Sequence, residues 1–241
     1  MISMEYITYK ELLELEENQV VEQETVIKPE KKEKMQKHQV HNLIILDESG
    51  SMESIKGTII QGFNELVQTI KGIEKKFPEQ EHFISMISFN SFGNKILHFA
   101  DAIEKLEQID QSKYSPDAMT PLYDAMGFSI NKLRRMLKNA QDYNVLVTIV
   151  TDGMENHSKE YSRESIKILI EELKNKQWAF TYIGADHNVE NTAFSLAIDN
   201  TMRFEKNEHD MRIMFEKEKS AREKYSSKIR NKEDTDKNFY E

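Results

Sequence analysis

The sequence of 241 residues contains no cysteine. Disulfide bonds, thiolate nucleophiles and thiolate metal sites are therefore excluded, and any metal must be held by oxygen or imidazole ligands. This restriction favours hard divalent cations, which prefer oxygen. Long apolar runs are also missing, since no segment approaches the roughly 20 apolar residues that span a bilayer. We expect no membrane partner.

The amino terminus lacks the basic stretch followed by an apolar run that a secretory signal needs. It reads MISMEYITYKELLELEE, and we expect a cytoplasmic protein. Acidic residues outnumber basic residues by 42 to 33, which gives a formal net charge of −9. Because phosphate backbones repel a negative chain, we expect no nucleic-acid partner.

Common enzyme motifs are absent as well. Neither HExxH nor GxSxG occurs, so zinc-protease and serine-hydrolase sites lack their minimal residues. The phosphate-binding patterns GxxxxGKS/T and GxGxxG are also missing. We therefore expect a protein that is not an enzyme.

Charged residues divide the chain into three parts. Residues 1–38 contain a mixed-charge run with too few apolar residues for a core, which predicts an arm or linker. Within this arm, EYITYKELLELEE is either a short amphipathic helix or a partly ordered tail. We assign one domain to residues 39–205. Residues 206–241 form a charged helix and tail, and the pattern leaves open whether this helix docks or protrudes.

Apolar runs and helical patterns alternate through the central part. The runs HNLIILD, HFISMISF, NKILHFA, NVLVTIVTD, WAFTYIGAD and TMRFE predict strands. Helical spacing is found at 54–76 and in LYDAMGFSINKLRRML, RESIKILIEELKNK and NTAFSLAI. The turn NSFG predicts that the second and third strands are antiparallel. This order predicts a doubly wound, Rossmann-like α/β fold: a six-stranded, mainly parallel sheet with one antiparallel edge strand and helices on both faces.

Three polar segments follow strands or begin helices on the side where such a sheet binds ligands. They are DESGSM, MTPLYD and TDG. In the first, an acid and two hydroxyls at alternate positions form a small group of oxygens, and Mg²⁺ needs only a few hard protein oxygens. Each segment also has a simpler explanation. DESGS fits an Asx turn or helix cap, and TDG fits a turn. Thr120 fits a helix N-cap with Pro121 at the first helical position, which we expect in any case.

Together, the three segments resemble the von Willebrand factor type A (vWA) and integrin I domains. DESGSM resembles their Asp-x-Ser-x-Ser signature, MTPL followed by Asp124 resembles their threonine loop, and VTDG resembles their distal aspartate. The resemblance covers roughly residues 39–205 and is closest to intracellular, bacterial-type members. One departure is PDAM before Thr120, where many relatives have glycines.

The resemblance implies a vWA fold and a metal-ion-dependent adhesion site. Its ligands would be Asp47, Ser49, Ser51, Thr120 and Asp152. The serines would bind the cation directly, the threonine directly or through water, and the aspartates mostly through water. The cation would be Mg²⁺, with Mn²⁺ or Ca²⁺ as alternatives, and the partner would be a protein that supplies an Asp or Glu carboxylate. The resemblance also implies coupling between this site and a helix within residues 206–230.

Two other functions stay open at this point. A metal-assisted hydrolase could draw acid or base groups from Glu48, His157 and the pair Asp186 and His187. Both histidines stand next to an asparagine and are better explained as solvated loop residues. A scaffold subunit that works with an ATPase is the other alternative. The sequence does not determine the oligomeric state.

Overall fold

The computed structural model describes residues 37–185 and 188–241. The predicted helix in EYITYKELLELEE and the pair Asp186 and His187 lie outside this part, and the three proposed domain boundaries stay predictions. The strands are β1 (His38–Asp47), β2 (Gln80–Asn90), β3 (Gly93–Ala102), β4 (Tyr143–Thr151), β5 (Trp178–Gly184) and β6 (Asn200–Arg203). The α-helices are α1 (Lys56–Lys76), α2 (Leu122–Met136), α3 (Arg163–Lys174), α4 (Val189–Ser195) and α5 (Glu208–Asn231). Short 3₁₀ helices occur at Gly50–Ile55 and Ile103–Lys105.

The strands form one sheet in the order β3-β2-β1-β4-β5-β6. Strand β3 pairs antiparallel with β2, because the tight turn between Asn90 and Gly93 reverses the chain at once. The other pairs are parallel and are connected by helices. The predicted sheet, with its antiparallel edge strand and helices on both faces, is confirmed.

Strand β1 is buried on both faces. Leu43 and Ile45 pack in the cluster that includes α2, α3 and α4. Ile44 and Leu46 pack on the opposite face, beneath α1 and α5. Each fully buried side chain of this size contributes roughly 1.5–3 kcal/mol to folding. This two-sided burial explains why the strand reads as a continuous apolar run.

Helix α5 docks on the sheet beside α1, which answers the question left open by the sequence. Its residues Met211 and Met214 are buried in the same cluster as α1. The ring of Phe215 lies against Gly62 of α1, where an added Cβ would lie only 1.9 Å from the ring. The glycine therefore permits the close approach of the two helices. No helix in residues 37–185 or 188–241 is long and apolar enough to cross a membrane.

A buried polar network joins α5 to the central strands. The Arg222 guanidinium donates to Glu218 Oε1 at 2.9 Å, to Asn42 Oδ1 at 2.7 Å and to Thr148 Oγ1 at 2.7 Å. The hydroxyl of Tyr240 donates to the other Glu218 oxygen at 2.9 Å. Removing either Glu218 or Arg222 would leave the other charge buried without its counter-ion, so these bonds hold the helix at one position on the sheet.

The predicted N-cap at Thr120 is wrong. Pro121 is the N-cap of α2, and the helix begins at Leu122. The backbone of Thr120 is instead bonded to Asn156, because its N–H donates to the Asn156 side chain at 3.0 Å and its carbonyl accepts from the Asn156 N–H at 3.2 Å. A long-range contact has replaced the local cap.

Two histidines are buried at the lower part of the sheet. Burial lowers the pKa of His41 to about 4. Burial, with a smaller contribution from the charge of Arg222, lowers the pKa of His82 to about 3. The ring of His41 stacks on Phe83 with centroids 4.9 Å apart. Neither ring nitrogen of His82 has a hydrogen-bond partner. Both side chains are therefore neutral in the folded protein near pH 5.

These histidines predict a loss of stability in mild acid. Between pH 6.5 and the lowered pKa values, the unfolded chain binds protons that the folded chain excludes, so the free energy of unfolding falls as pH falls. Each histidine contributes a slope of up to about 1.4 kcal/mol per pH unit. We expect His82→Leu to show a shallower decline than the wild type in urea unfolding at pH 7, 6 and 5. Equal slopes for the two proteins would contradict this account.

Candidate metal site

The predicted metal-binding residues lie at the carboxyl edge of the two central parallel strands. Asp47 ends β1, and the loop that follows contains Ser49 and Ser51. Asp152 comes directly after β4, the neighbour of β1. Thr120 comes just before α2. Segments distant in the chain therefore meet at the ligand-binding edge of a doubly wound sheet.

Hydrogen bonds link the first loop to the end of β4. The hydroxyls of Ser49 and Ser51 lie 3.1 Å apart, and Ser51 donates to Asp152 Oδ1 at 2.5 Å. Asp47 accepts one bond from the Ser49 N–H at 2.8 Å and another from the Thr151 hydroxyl at 2.7 Å. The first of these is the Asx turn suggested by DESGS. Ser49 makes no side-chain cap bond, so its hydroxyl is not committed to a helix end.

Side-chain oxygens of Thr120, Ser51 and Asp47 lie close to Gly153. A Cβ added to this glycine would lie 3.2 Å from Thr120 Oγ1, 3.6 Å from Ser51 Oγ and 3.8 Å from Asp47 Oδ2. Three side-chain oxygens from two segments thus lie beside the glycine of a third segment, around one small space that a larger residue would fill. The structure brings all five predicted residues together.

The donor set fits a hard cation rather than a soft one. It consists of three hydroxyls and two carboxylates, which are the oxygen ligands that Mg²⁺ and Mn²⁺ accept. Within the described residues, no group of three or more His, Cys, Asp or Glu side chains is placed to hold a metal. A site here therefore depends on its hydroxyls.

The two carboxylates are buried close to each other. Burial raises the pKa of Asp47 to about 6, and the Asp152 carboxylate adds to this increase, whereas the bonds from Thr151 and Ser49 lower the pKa. A nearby positive charge would stabilise both buried carboxylates in their ionised form.

A positive charge is already present beside Asp152. The ammonium group of Lys206 lies 2.6 Å from Asp152 Oδ2, and the Asp152 side chain is fully buried. Although the contact is a close ion pair, no hydrogen bond of acceptable geometry reaches this oxygen. Nothing in the local sequence around Lys206 pointed to this contact.

The loop after Asp152 is held by acceptors that the sequence pattern did not identify. Glu155 accepts from the backbone N–H groups of Tyr123, His157 and Ser158. Asp124 accepts from the backbone N–H groups of 159, 160 and 161 at 2.8 to 2.9 Å. Together with the bonds between Thr120 and Asn156, these contacts fix the threonine loop against the loop that follows Asp152.

Glu48 does not act at the crevice. Its side chain is fully buried, and its carboxylate accepts from Lys95 Nζ, Ser88 Oγ and the Ser115 N–H, each at 2.6 Å. Tyr114 lies in the same interior and donates to the Asp47 carbonyl at 2.7 Å. These contacts anchor the segment before the threonine loop beneath the site, so Glu48 is a positioning residue.

Comparisons with known proteins were made by sequence and by structure. No protein-family model matches the chain, and no curated protein matches it. The pilus adhesin SpaC from Lactobacillus rhamnosus GG is similar in structure, with a TM-score of 0.57 and 12% identity over 80% of this chain and 31% of the adhesin. Proximal thread matrix protein 1 from the mussel byssus gives a TM-score of 0.50 and 14% identity over 75% of this chain and 45% of its own.

The SpRpn10 VWA domain matches with a TM-score of 0.47 and 11% identity over 74% of this chain and 94% of its own. Similarities at these identities concern the fold alone. The matched region spans less than half of the SpaC and mussel chains. The sheet order agrees with the arrangement that the sequence resemblance implied. The chain has a vWA-like fold.

The departure from the vWA threonine loop has a structural consequence. Ala118, within PDAM, has a φ of 65°, in the left-handed region. Its carbonyl accepts from the Gly50 N–H at 3.1 Å, so the strained residue contacts the first metal-site loop directly. A side chain in this conformation costs roughly 1–2 kcal/mol, which glycine avoids.

We predict that Ala118→Gly stabilises the protein. The relief of strain is partly offset by the greater entropy of glycine in the unfolded chain, so the net gain should be about 0.5–1 kcal/mol. Urea unfolding measures the change, and Ala140→Gly, at a position with no positive φ, is the control that should not gain. A destabilised Ala118→Gly protein would refute the strain argument.

The buried pair of Glu48 and Lys95 supports a second prediction. Lys95→Met leaves the Glu48 carboxylate buried without its cation, and we expect a loss of about 3–5 kcal/mol in the free energy of unfolding. The double variant Glu48→Leu/Lys95→Met removes both charges and should lose less than the sum of the single variants. A double-mutant cycle by urea unfolding measures this coupling, and additive losses would show that the pair is not coupled.

Proposed function

We propose that this protein is a metal-dependent protein-binding module that recognises an Asp or Glu carboxylate of a partner at the carboxyl edge of its sheet. The observation that carries the proposal is the gathering of five oxygen-bearing side chains from three segments around Gly153. Local turns would explain DESGS and TDG separately, but they give no reason for this gathering, and Thr120 does not cap its helix. A cation shared by the five side chains would explain why they gather.

The residues that would hold the cation have distinct roles. Asp47, Ser49, Thr120 and Asp152 are buried, whereas Ser51 is exposed at the mouth of the site. Hydroxyl ligands add no negative charge, so a dication held largely by them would keep the net positive character that attracts a carboxylate. Mg²⁺ is the expected cation, with Mn²⁺ or Ca²⁺ as alternatives.

The surface around the site suits a protein partner. Met119 lies next to Thr120 and Met154 lies next to Gly153, and both side chains are exposed. Phe92, in the turn between β2 and β3, is 60% exposed. The Met119 N–H donates to Ser91 Oγ at 3.2 Å, so this turn lies beside the threonine loop. Large exposed apolar side chains around a polar centre are typical of protein interfaces.

The alternative of a metal-assisted hydrolase has less support. The nearest acid to the serines in sequence, Glu48, is bonded on both oxygens in the interior. A subunit that works with an ATPase is compatible with the binding proposal, because it would name the partner and leave the recognition chemistry unchanged.

Metal binding is the first test. We expect Mg²⁺ and Mn²⁺ to raise the melting temperature of the wild type in a concentration-dependent manner, because a ligand that binds only the folded state stabilises it. Ser49→Ala/Ser51→Ala should lose this response. Ser54→Ala/Ser220→Ala, which changes two exposed serines, should keep it. A wild type that binds neither ion in calorimetry would refute the proposal.

Partner recognition is the second test. Pull-downs from native lysate in Mg²⁺ and in EDTA would compare the wild type, Ser49→Ala/Ser51→Ala and the exposed-serine control. We expect a partner that is lost both on chelation and in the site variant, and whose binding falls when its own Asp or Glu residues are changed to Asn or Gln. Hydrolysis of phosphoester or peptide substrates, abolished by the same site variant, would favour the enzyme instead.

A further inference from the structure

Lys206 occupies an unusual position for a lysine. It lies in the short connection between β6 and α5, and its ammonium group contacts the Asp152 carboxylate at 2.6 Å. The other oxygen of this carboxylate accepts the Ser51 hydroxyl. Asp152 therefore links the hydroxyl group of the candidate metal site to a cation that belongs to the chain itself.

The backbone on both sides of Lys206 is anchored. The N–H of Phe204 donates to the Gly184 carbonyl at 3.0 Å, and the Phe204 side chain is buried. On the other side, Asn207 caps α5 by accepting from the Asp210 N–H at 2.9 Å. The ammonium group is thus held beside the site by a short tether with fixed ends.

We propose that Lys206 sets the cation affinity of this site by competing with the bound metal for Asp152. This inference rests on the proposed metal site and adds to it the residue that opposes metal binding. In the metal-free protein, the ammonium group neutralises a fully buried carboxylate. A dication held by the same carboxylate would place two positive centres on one group, so binding must weaken or break the contact with Lys206.

The lysine has a route away from the site. Its side chain is 37% exposed, whereas that of Asp152 is fully buried. The ammonium group can therefore move into water while the carboxylate stays in place. Because only the lysine can move away in this manner, Asp152 remains available as a ligand. The metal ion then takes the place of the Lys206 ammonium group beside Asp152.

The affinity test uses Mn²⁺ as the probe and the full chain. We expect Lys206→Met to bind Mn²⁺ at least about tenfold more tightly than the wild type in calorimetry, because the competing charge is gone. Lys206→Arg, which keeps a positive charge, should stay close to the wild type. The control Lys217→Met removes an exposed lysine from α5, the helix that follows Lys206. It makes the same change in net charge and should leave the affinity within about twofold of the wild type, since exposed charges are largely screened.

Thermal melting gives a second readout. Without metal, Lys206→Met should be less stable than the wild type, because Asp152 loses its counter-charge, and Mn²⁺ should restore more stability to this variant than to the wild type. Lys206→Gln replaces the methionine variant if the latter does not fold. An affinity of the uncharged variant equal to or weaker than that of the wild type would overturn the proposal. If no protein in the series binds Mn²⁺, the metal site itself is refuted as well.

Amine reactivity tests the displacement directly. Acetylation of the wild type by an N-hydroxysuccinimide ester would be followed by mass spectrometry at Lys206, with Lys217 as the internal reference. We expect Mg²⁺ to accelerate acetylation of Lys206 severalfold relative to EDTA, and to leave Lys217 unchanged. The same measurement on Ser49→Ala/Ser51→Ala should show no effect of Mg²⁺. An equal or slower rate at Lys206 in Mg²⁺ would contradict the competition.

Discussion

Strands β1 and β4 are parallel neighbours at the centre of the sheet, and their carboxyl ends lie side by side. This pairing brings Asp47 next to the segment that contains Asp152, although about a hundred residues separate them in the chain. Two buried carboxylates this close together repel each other. The hydroxyls of Ser51 and Thr151 and the ammonium group of Lys206 stabilise their negative charge. The close approach of these side chains follows from the strand pairing.

The loops above the sheet owe their positions to buried polar contacts beneath and beside them. Glu48, Lys95 and Tyr114 fix the segment before the threonine loop from below. Asn156 fixes Thr120 from the side through two backbone bonds. Such networks are costly to leave incomplete, so they specify one arrangement of the loops rather than several. Preorganised oxygens bind a small cation without first having to be ordered.

Helix α5 is linked both to the candidate metal site and to the two central strands. Its start follows Lys206, which contacts the candidate metal site, and its middle is held to β1 and β4 by the buried network of Arg222. Only the short segment from Lys206 to the start of α5 separates the candidate metal site from this helix. The Arg222 network resists a displacement of the whole helix, whereas the exposed side chain of Lys206 can respond alone. We therefore infer that a bound cation would first displace the Lys206 side chain and not the helix.

The sequence by itself determined the alternation of strands and helices and the antiparallel edge strand, because burial and turn chemistry leave local periodic patterns. The set of five oxygen-bearing residues came from the resemblance of three short motifs to those of vWA domains. Only the tertiary structure decided that α5 docks, that Thr120 does not cap its helix, that Glu48 turns inward and that Lys206 meets Asp152. Each of these outcomes depends on a contact between residues distant in the chain. Local patterns report how deeply a side chain is buried, but they do not report which partner it meets there.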